Sequence, residues 1–227
     1  MIPTDQGVIL AAGVGSRLAW LTEQRPKALM PIAGIPAIIR VIQRMVAAGI
    51  RHIAINVHHH GEQIMAALGR GERFGARLYY SVETQLLDSG GGLRQAIMRL
   101  PNPTAVVVHN ADICSDIDLH ALQHGGGVTL AMVGNPAHHP QGDFALHHGL
   151  IHASEGVRYT FAGASCWPAS LLLARPAATP FSLLDVMRPC IKERQCSGVL
   201  HHGFWFDIGR PADLFRASHF MTQAAYE

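Results

Sequence analysis

Charged side chains are scarce in this sequence, because Asp, Glu, Lys and Arg together make up only 15% of its 227 residues. This low charged fraction, together with 23 Gly and 13 Pro, excludes a coiled coil. The formal charge is only +2, so we expect no basic face for nucleic acid. Hydrophobic residues make up 48%, which excludes a disordered chain and predicts a globular protein with a sizeable core.

Long apolar runs are also missing from the sequence. No run approaches the roughly 20 apolar residues that a membrane-crossing helix needs. Residues 1–6 show neither the charged segment nor the apolar stretch of a secretion signal. We therefore expect a soluble, cytoplasmic protein without a membrane partner.

Cysteine is sparse and histidine abundant. The four cysteines lack C-x-x-C spacing, which favours free thiols over a disulfide or zinc site: Cys114, Cys166, Cys190 and Cys196. The 15 histidines cluster at residues 58–60, 138–139, 147–148 and 201–202. Adjacent histidines on a strand point apart, and the H-E-x-x-H signature is absent. We expect loop and strand-end histidines, with a metal site built from several segments left open.

The first half of the chain alternates β-rich runs with helical patterns. Apolar runs predict strands at residues 7–12, 51–57, 76–81 and 104–109, and helical spacing predicts helices at residues 36–48, 61–68 and 91–100. Continuous apolar strands separated by helices indicate a parallel sheet covered on both faces.

The second half changes character. Short runs predict strands at residues 128–133, 143–147, 150–153 and 159–164, which suggest an antiparallel extension. Helices are predicted at residues 183–193 and 211–222, on either side of a hairpin-like stretch at 199–207. The pattern predicts one α/β domain with an inserted substrate-binding region.

A glycine-containing turn follows the first strand, with the sequence L-A-A-G-V-G-S-R-L at residues 10–18. Gly13 and Gly15 would let backbone N–H groups approach a phosphate. The turn matches neither G-x-G-x-x-G nor the P-loop pattern, and a bare G-x-G is often only a tight turn.

The continuation strengthens the phosphate interpretation. In P-K-A-L-M-P at residues 26–31, two prolines bracket Lys27 in a stiff segment. This segment would hold Lys27 at a fixed distance from the glycine turn, and Arg17 lies just past its glycines. Two such cations beside the backbone N–H groups of the turn suit a triphosphate, because the phosphorus that is transferred needs fixed positive charge.

Together these two motifs resemble the signature of the sugar-1-phosphate nucleotidylyltransferases. L-D-S-G-G-G-L at residues 87–93 looks like the family's nucleobase-contacting glycine loop, and H-N-A-D at 109–112 its strand-end N-G-D. Residues 135–144, 161–163 and 205–209 resemble one short-chain branch, the N-acetylmuramate α-1-phosphate uridylyltransferases of cell-wall recycling.

The resemblance implies an α/β fold with a Rossmann-like mixed, mostly parallel sheet sandwiched by helices, the nucleotide-diphospho-sugar transferase or GT-A-like fold. It implies a single domain over residues 1–227, with a nucleotide-binding half at 1–125 and a sugar-binding half at 126–227. The implied reaction joins UTP and N-acetylmuramate 1-phosphate into UDP-N-acetylmuramate with release of pyrophosphate. The implied partners are these small molecules, in a monomer or small homo-oligomer.

Two acids follow apolar strands in this pattern. Asp112 and Asp207 could each cap a turn or helix, as Asp often does. The resemblance implies instead that both hold one Mg²⁺ between the nucleotide and the sugar phosphate.

The resemblance assigns roles to further residues. Lys27 would stabilise charge on the α-phosphate and pyrophosphate, and Arg17 would hold the β- and γ-phosphates. The implied nucleotide-binding residues are Ala12, Gly13, Gly15, Glu83, Gly90, Gly91 and Gly92. The implied sugar- or ribose-binding residues are Asn110, Asp143 and Gly163.

The chain departs from the family pattern at several positions. Ala111 stands where the family has Gly, Trp20 where it has Pro, and Arg210 where Thr is common. Arg210 would bind the sugar phosphate or indicate a different substrate, and the sequence leaves both open.

Other substrates also stay open: mannose 1-phosphate or heptose 1-phosphate with GTP, or phosphocholine with CTP. A catalytically silent homologue is a further alternative. The presence of Arg17, Lys27, Asp112 and Asp207 argues against it, because binding alone gives no chemical reason to hold all four.

Overall fold

The structure is a computed structural model that describes residues 4–13, 15, 18, 21–154 and 156–224. The predictions for Arg17 and Trp20 lie outside these residues. Within the described ranges, no helix combines the length and apolar character required to span a membrane.

The described residues contain six α-helices and thirteen strands. The strands are β1 (Gln6–Leu10), β2 (Pro31–Ile32), β3 (Ile35–Pro36), β4 (His52–Val57), β5 (Arg77–Val82), β6 (Ala105–Asn110), β7 (Ile113–Ser115), β8 (Val128–Val133), β9 (Phe144–His147), β10 (Leu150–His152), β11 (Val157–Pro168), β12 (Cys196–Leu200) and β13 (Trp205–Asp207). The helices are α1 (Ala37–Ala47), α2 (Gly61–Leu68), α3 (Asp88–Ile97), α4 (Ala169–Leu173), α5 (Leu183–Lys192) and α6 (Pro211–Gln223).

A parallel sheet forms the first half, in the order β5-β4-β1-β6. The chain adds β4 and β5 on one side of β1, and then α3 returns it to place β6 on the other side. This reversal leaves a crevice at the carboxyl ends of β1 and β6, where open α/β sheets commonly bind ligands.

The second half extends the same sheet in the order β11-β8-β12-β10-β9. β11 is antiparallel to both β6 and β8, whereas β8 and β12 are parallel. The register of β11 on β8 shifts between Phe161 and Ser165, and Gly163 lies at this irregularity with a φ of +78°. The amino-terminal part of β11 also pairs with β9, so the extension folds back on itself.

Most predicted elements are confirmed within one or two residues, including the helix at 61–68 and the strand at 128–133. The predicted helix at 91–100 begins earlier, at Asp88, and the predicted strand at 159–164 is part of a longer strand of 12 residues. Four short elements, β2, β3, β7 and α4, were not predicted.

The hairpin-like interpretation of residues 199–207 is wrong. β12 pairs with β8 in the main sheet, whereas β13 pairs with β7 in a separate two-stranded ribbon. Alternating hydrophobicity shows which residues share a face of a strand, but it does not select the neighbouring strand.

All four cysteines are buried free thiols. Burial raises the pKa of Cys196 to about 12 and the pKa of Cys166 to about 11. These thiols therefore stay protonated and act as small apolar core groups.

Candidate active site

The carboxyl ends of β1 and β6 lie side by side. Leu10 pairs with Asn110, and the N–H of Ala111 donates to the Leu10 carbonyl at 3.0 Å. Ala111 does not have a positive φ, so an alanine is accommodated here without backbone strain, although the resemblance leads us to expect Gly. The pairing brings Asp112 beside the glycine turn after β1.

Asp207 arrives at the same place through the β7–β13 ribbon. It pairs with Ile113, and the N–H of Ile208 donates to the Asp112 carbonyl at 3.0 Å. Two acids that are 95 residues apart in the sequence (207 less 112) thereby become neighbours.

Lys27 points its ammonium group between these two acids. Its Nζ lies 2.5 Å from Asp112 Oδ2 and 3.7 Å from Asp207 Oδ1. The Lys27 side chain is 11% exposed, against 28% and 25% for the two carboxylates. Lys27 begins a short 3-10 helix directly after Pro26, whose extended backbone precedes the turn as the sequence predicts.

A small apolar cluster supports this ion-pair group from behind. It contains Met30 from the Lys27 segment, Cys114 from β7, and Ile208 beside Asp207. Packing of these side chains therefore ties together the three segments that carry the charges.

The two carboxylates fit the donor set that Mg²⁺ requires. Magnesium commonly binds one or two protein carboxylates and completes its shell with water and substrate phosphates. Asp112 and Asp207 already converge on a single cationic atom, the Lys27 Nζ. Across residues 4–13, 15, 18, 21–154 and 156–224, no group of three or more His, Cys, Asp or Glu side chains forms a metal site without substrate.

Three cavities meet at Asp112. The strand-end cavity, of about 200 Å³, is lined by Leu10, Ala11, Gly13, Gly15, Lys27, Ala28, Ala111, Asp112 and Gly209. The α3 cavity, of about 520 Å³, is lined by Leu10, Ala12, Gly13, Asn56, Glu83, Leu86, Asp88, Ser89, Asn110, Asp112 and Pro180. The β11 cavity, of about 420 Å³, is lined by Asn110, Asp112, Ile113, Pro136, His138, His139, Asp143, Thr160, Phe161, Gly163, Trp205, Asp207 and Arg210.

The two turn glycines have different surroundings. A Cβ on Gly13 would meet no described atom within 4 Å, so this residue leaves open space on the cavity side. Gly15 has a φ of +69°, and a Cβ there would lie 3.2 Å from Lys27 Cβ. Its carbonyl also accepts a hydrogen bond from the Thr22 hydroxyl at 3.1 Å. Gly15 therefore allows the glycine turn to pack directly against the lysine segment.

A buried polar pair links the α3 cavity to the glycine turn. Asn56 Oδ1 accepts the N–H of Ala11 at 2.8 Å, and Asn56 Nδ2 donates to Glu83 Oε1 at 2.7 Å. The other oxygen of Glu83 accepts the N–H of Leu87 at 3.0 Å. Glu83 is thus bonded to protein groups on both sides, and its contact with a nucleobase stays a prediction.

Asn56 was not among the site residues predicted from the sequence. The available signal was a single amide within the apolar run I-A-I-N-V of β4, near the carboxyl end of the strand.

The three consecutive glycines lie buried in the first turns of α3. A Cβ on Gly90 would lie 2.4 Å from the Phe181 ring, and a Cβ on Gly92 would lie 2.5 Å from Glu83 Oε1. The N–H groups of Gly90 and Gly91 both donate to the Phe181 carbonyl. The glycines therefore admit a neighbouring segment, while Asp88 and Ser89 line the cavity; nucleobase contact by Gly90, Gly91 and Gly92 stays a prediction.

The predicted sugar-binding residues all line the β11 cavity: Asn110, Asp143 and Gly163. Asp143 Oδ2 accepts the N–H of Phe161 at 2.8 Å, and Asp143 Oδ1 lies 3.1 Å from His139 Nε2. A Cβ on Gly163 would lie 2.7 Å from Ile113 and 3.0 Å from Asn110 Nδ2. Gly163 thus leaves the space that the side chain of Asn110 needs.

Two further features shape this cavity. Trp205 Nε1 donates to the Ala162 carbonyl at 2.9 Å, which fixes the β7–β13 ribbon against β11. His109 is buried behind Asn110, and burial lowers the pKa of its imidazole, with its Nδ1 2.8 Å from the Asn110 carbonyl. A neutral His109 adds no charge to the site.

The family model for nucleotidyl transferases matches residues 6–132 of this chain. The chain is 34% identical to the N-acetylmuramate alpha-1-phosphate uridylyltransferase of Neisseria meningitidis serogroup B, over 93% of this chain and 96% of that protein. It therefore belongs to the nucleotidyl transferase family.

Two further comparisons extend this result. The chain is 28% identical to the mannose-1-phosphate guanylyltransferase of Mycobacterium tuberculosis, matching 93% of this chain but 63% of that longer protein. A crystal structure from Bacillus anthracis, described as a glucose-1-phosphate thymidylyltransferase, has a TM-score of 0.82 at 21% identity, over 95% of this chain and 94% of that one. The fold class is confirmed, and the protein is a sugar-1-phosphate nucleotidyltransferase.

We predict that Asn56→Ala lowers the free energy of unfolding by about 1–3 kcal/mol, because it leaves a buried Glu83 oxygen without its donor. Urea denaturation measures this loss. Ser81→Ala is the matched control, because Ser81 is fully buried on adjacent β5 and its hydroxyl has no hydrogen-bond partner among the described residues. We expect no loss for this control, and equal losses in both variants would contradict the role of Asn56.

Proposed function

We propose that this protein transfers a uridylyl group from UTP to N-acetylmuramate 1-phosphate, forming UDP-N-acetylmuramate and pyrophosphate. The observation that carries the proposal is the meeting of three cavities at Asp112, beside Lys27 and Asp207. A nucleotidyl transfer needs room for a base, for phosphates and for an acceptor around one reacting centre. The choice of uracil and of the N-acetylmuramate unit follows the name of the Neisseria relative.

Each cavity receives one part of the reactants in this proposal. The base and ribose occupy the α3 cavity, with Leu86 and Pro180 as apolar walls. The triphosphate lies in the strand-end cavity against Gly13 and Lys27. The sugar lies in the β11 cavity, so residues 1–125 bind mainly nucleotide and residues 126–227 complete the acceptor site.

The chemistry requires charge placement rather than a nucleophilic side chain. An oxygen of the sugar phosphate attacks the α-phosphorus of UTP, the bond between that phosphorus and the bridging oxygen breaks, and pyrophosphate leaves with the electron pair. The attacking oxygen is already anionic, so no general base is needed. Lys27 contributes a fixed positive charge at the junction of the two reactants, which lowers their mutual repulsion.

Asp112 and Asp207 are the residues that would hold Mg²⁺ in this site. The ion would supply charge neutralisation between the nucleotide and acceptor phosphates. Lys27 then provides positive charge that does not depend on the metal. We further place the reaction in the cytoplasm and in cell-wall recycling, because the substrates are a nucleoside triphosphate and a cell-wall sugar phosphate.

A pyrophosphate-release screen tests the proposal. UTP, GTP, CTP, ATP and dTTP are each paired with N-acetylmuramate 1-phosphate, N-acetylglucosamine 1-phosphate, mannose 1-phosphate and phosphocholine. We expect the highest kcat/KM for UTP with N-acetylmuramate 1-phosphate. A preference for GTP with mannose 1-phosphate would replace the proposal with the activity of the Mycobacterium relative.

We predict that Lys27→Ala lowers kcat by roughly 100-fold or more, the size of effect expected when one preorganised charge contact is removed. Steady-state pyrophosphate release measures the change. The other lysine of the sequence, the exposed Lys192 on α5, offers the matched control Lys192→Ala, which should leave kcat unchanged. An unchanged rate in Lys27→Ala would refute its role.

Asp112→Asn and Asp207→Asn should each abolish Mg²⁺-dependent pyrophosphate release, because each replaces an anionic ligand with a neutral one. Binding of Mn²⁺, followed by electron paramagnetic resonance in the presence of UTP, should weaken in parallel. Asp5→Asn, at an exposed position, should change neither measurement. Full activity in either site variant would exclude that residue as a metal ligand.

A further inference from the structure

Arg210 is a cation of the β11 cavity that takes no part in the chemistry proposed for Lys27, Asp112 and Asp207. Arg210 lines this cavity and is exposed at the start of α6. Its carbonyl accepts the N–H groups of Asp213 and Leu214, both at 3.1 Å, so the helix holds its backbone in place. Its guanidinium makes no ion pair or hydrogen bond with any residue that the structure describes.

The acids of the same cavity are engaged elsewhere. Asp112 and Asp207 face the ammonium of Lys27. Asp143 accepts the N–H of Phe161 and lies against His139. Among the described residues of this wall, Arg210 is therefore a charged group that remains available to an anionic substrate.

The remaining groups around Arg210 are compatible with an anion. His138 and Thr160 line the cavity and bring polar atoms without adding a negative charge. The sugar phosphate is expected at Lys27 and the two acids, so an anion at Arg210 would be a second one on the acceptor. N-acetylmuramate has such a group, the carboxylate of its 3-O-lactyl ether, which N-acetylglucosamine lacks.

We propose that Arg210 binds the lactyl carboxylate of the acceptor and thereby selects N-acetylmuramate 1-phosphate over N-acetylglucosamine 1-phosphate. A guanidinium pairs with a carboxylate through two parallel N–H···O bonds, which combine charge with a fixed geometry. The inference rests on the proposed function, because it names the part of the acceptor that this site recognises.

The test compares three acceptors with UTP: N-acetylmuramate 1-phosphate, its lactamide, in which a neutral amide replaces the carboxylate, and N-acetylglucosamine 1-phosphate. We expect Arg210→Ala to lower kcat/KM for N-acetylmuramate 1-phosphate by about 10- to 100-fold, the range for a lost charged hydrogen bond. The kcat/KM for the other two acceptors should change by less than about twofold, since they offer no carboxylate to the guanidinium. For N-acetylmuramate 1-phosphate, the kcat/KM of Arg210→Lys should lie between that of the unmodified protein and that of Arg210→Ala, because an ammonium keeps the charge but not the paired geometry.

Arg188→Ala is the matched control, because the Arg188 side chain is 73% exposed on α5 and lines none of the three cavities. This variant should leave kcat/KM unchanged for all three acceptors. Thermal unfolding of each variant confirms that the proteins compared are folded.

Two results would overturn the inference while the transferase proposal stands. Equal losses for all three acceptors in Arg210→Ala would assign the guanidinium to the shared phosphate. Equal use of the three acceptors by the unmodified protein would show that the carboxylate is not recognised. If UTP reacts with none of them, the proposed function fails and the inference falls with it.

Discussion

The site depends on one electrostatic constraint, which is that two carboxylates share a single ammonium group. Carboxylate oxygens of Asp112 and Asp207 lie 2.5 Å and 3.7 Å from Lys27 Nζ. The two carboxylates would repel each other without a cation between them, and Lys27 supplies that cation. The three residues come from distant parts of the sequence, so folding must bring three segments to one point. The apolar cluster behind them does this, because Met30, Cys114 and Ile208 each lie within three residues of a charged member.

Backbone hydrogen bonds fix the positions of the two acids more closely than packing of the apolar cluster alone would. The Ala111 N–H bonds to Leu10, and the Ile208 N–H bonds to the carbonyl of Asp112, so both acids are held through main-chain groups. Trp205 then fixes the ribbon to β11 through the Ala162 carbonyl. Charge is scarce in this chain, and the few charged groups of the site are placed by short, rigid segments rather than by an extended basic surface.

Much of this arrangement was predictable from sequence where local pattern determines structure. The strands and helices of the first half follow from apolar periodicity. The fixed position of Lys27 follows from the restricted backbone of the two prolines that bracket it. Strand partners were not predictable, because the sequence at 199–207 is compatible with pairing of β13 either with β12 or with β7. Buried polar pairing was equally hidden, since Asn56 and Glu83 are 27 residues apart and only the sheet brings them together. The glycines at 90–92 were linked to the nucleobase, but the close packing that a Cβ would meet there, against Phe181, the Thr179 carbonyl and Glu83, was not visible in the sequence.

In the proposed mechanism, phosphoryl chemistry and substrate choice depend on different parts of the structure. The groups proposed for phosphoryl chemistry are attached to strand ends or to the proline-bracketed segment, where a small displacement would separate Lys27 from its carboxylates. Apart from Asp112 and Asp207, the groups that line the β11 cavity come largely from loops, a strand irregularity and a helix start, where a side chain can change without altering a sheet pairing. Arg210 belongs to this second class, because its backbone is held by α6 while its guanidinium stays exposed to the cavity. A substitution at such a position would leave the strand-end pairing of the site intact and would change the charge that the β11 cavity presents, so a shared fold could serve different sugar phosphates.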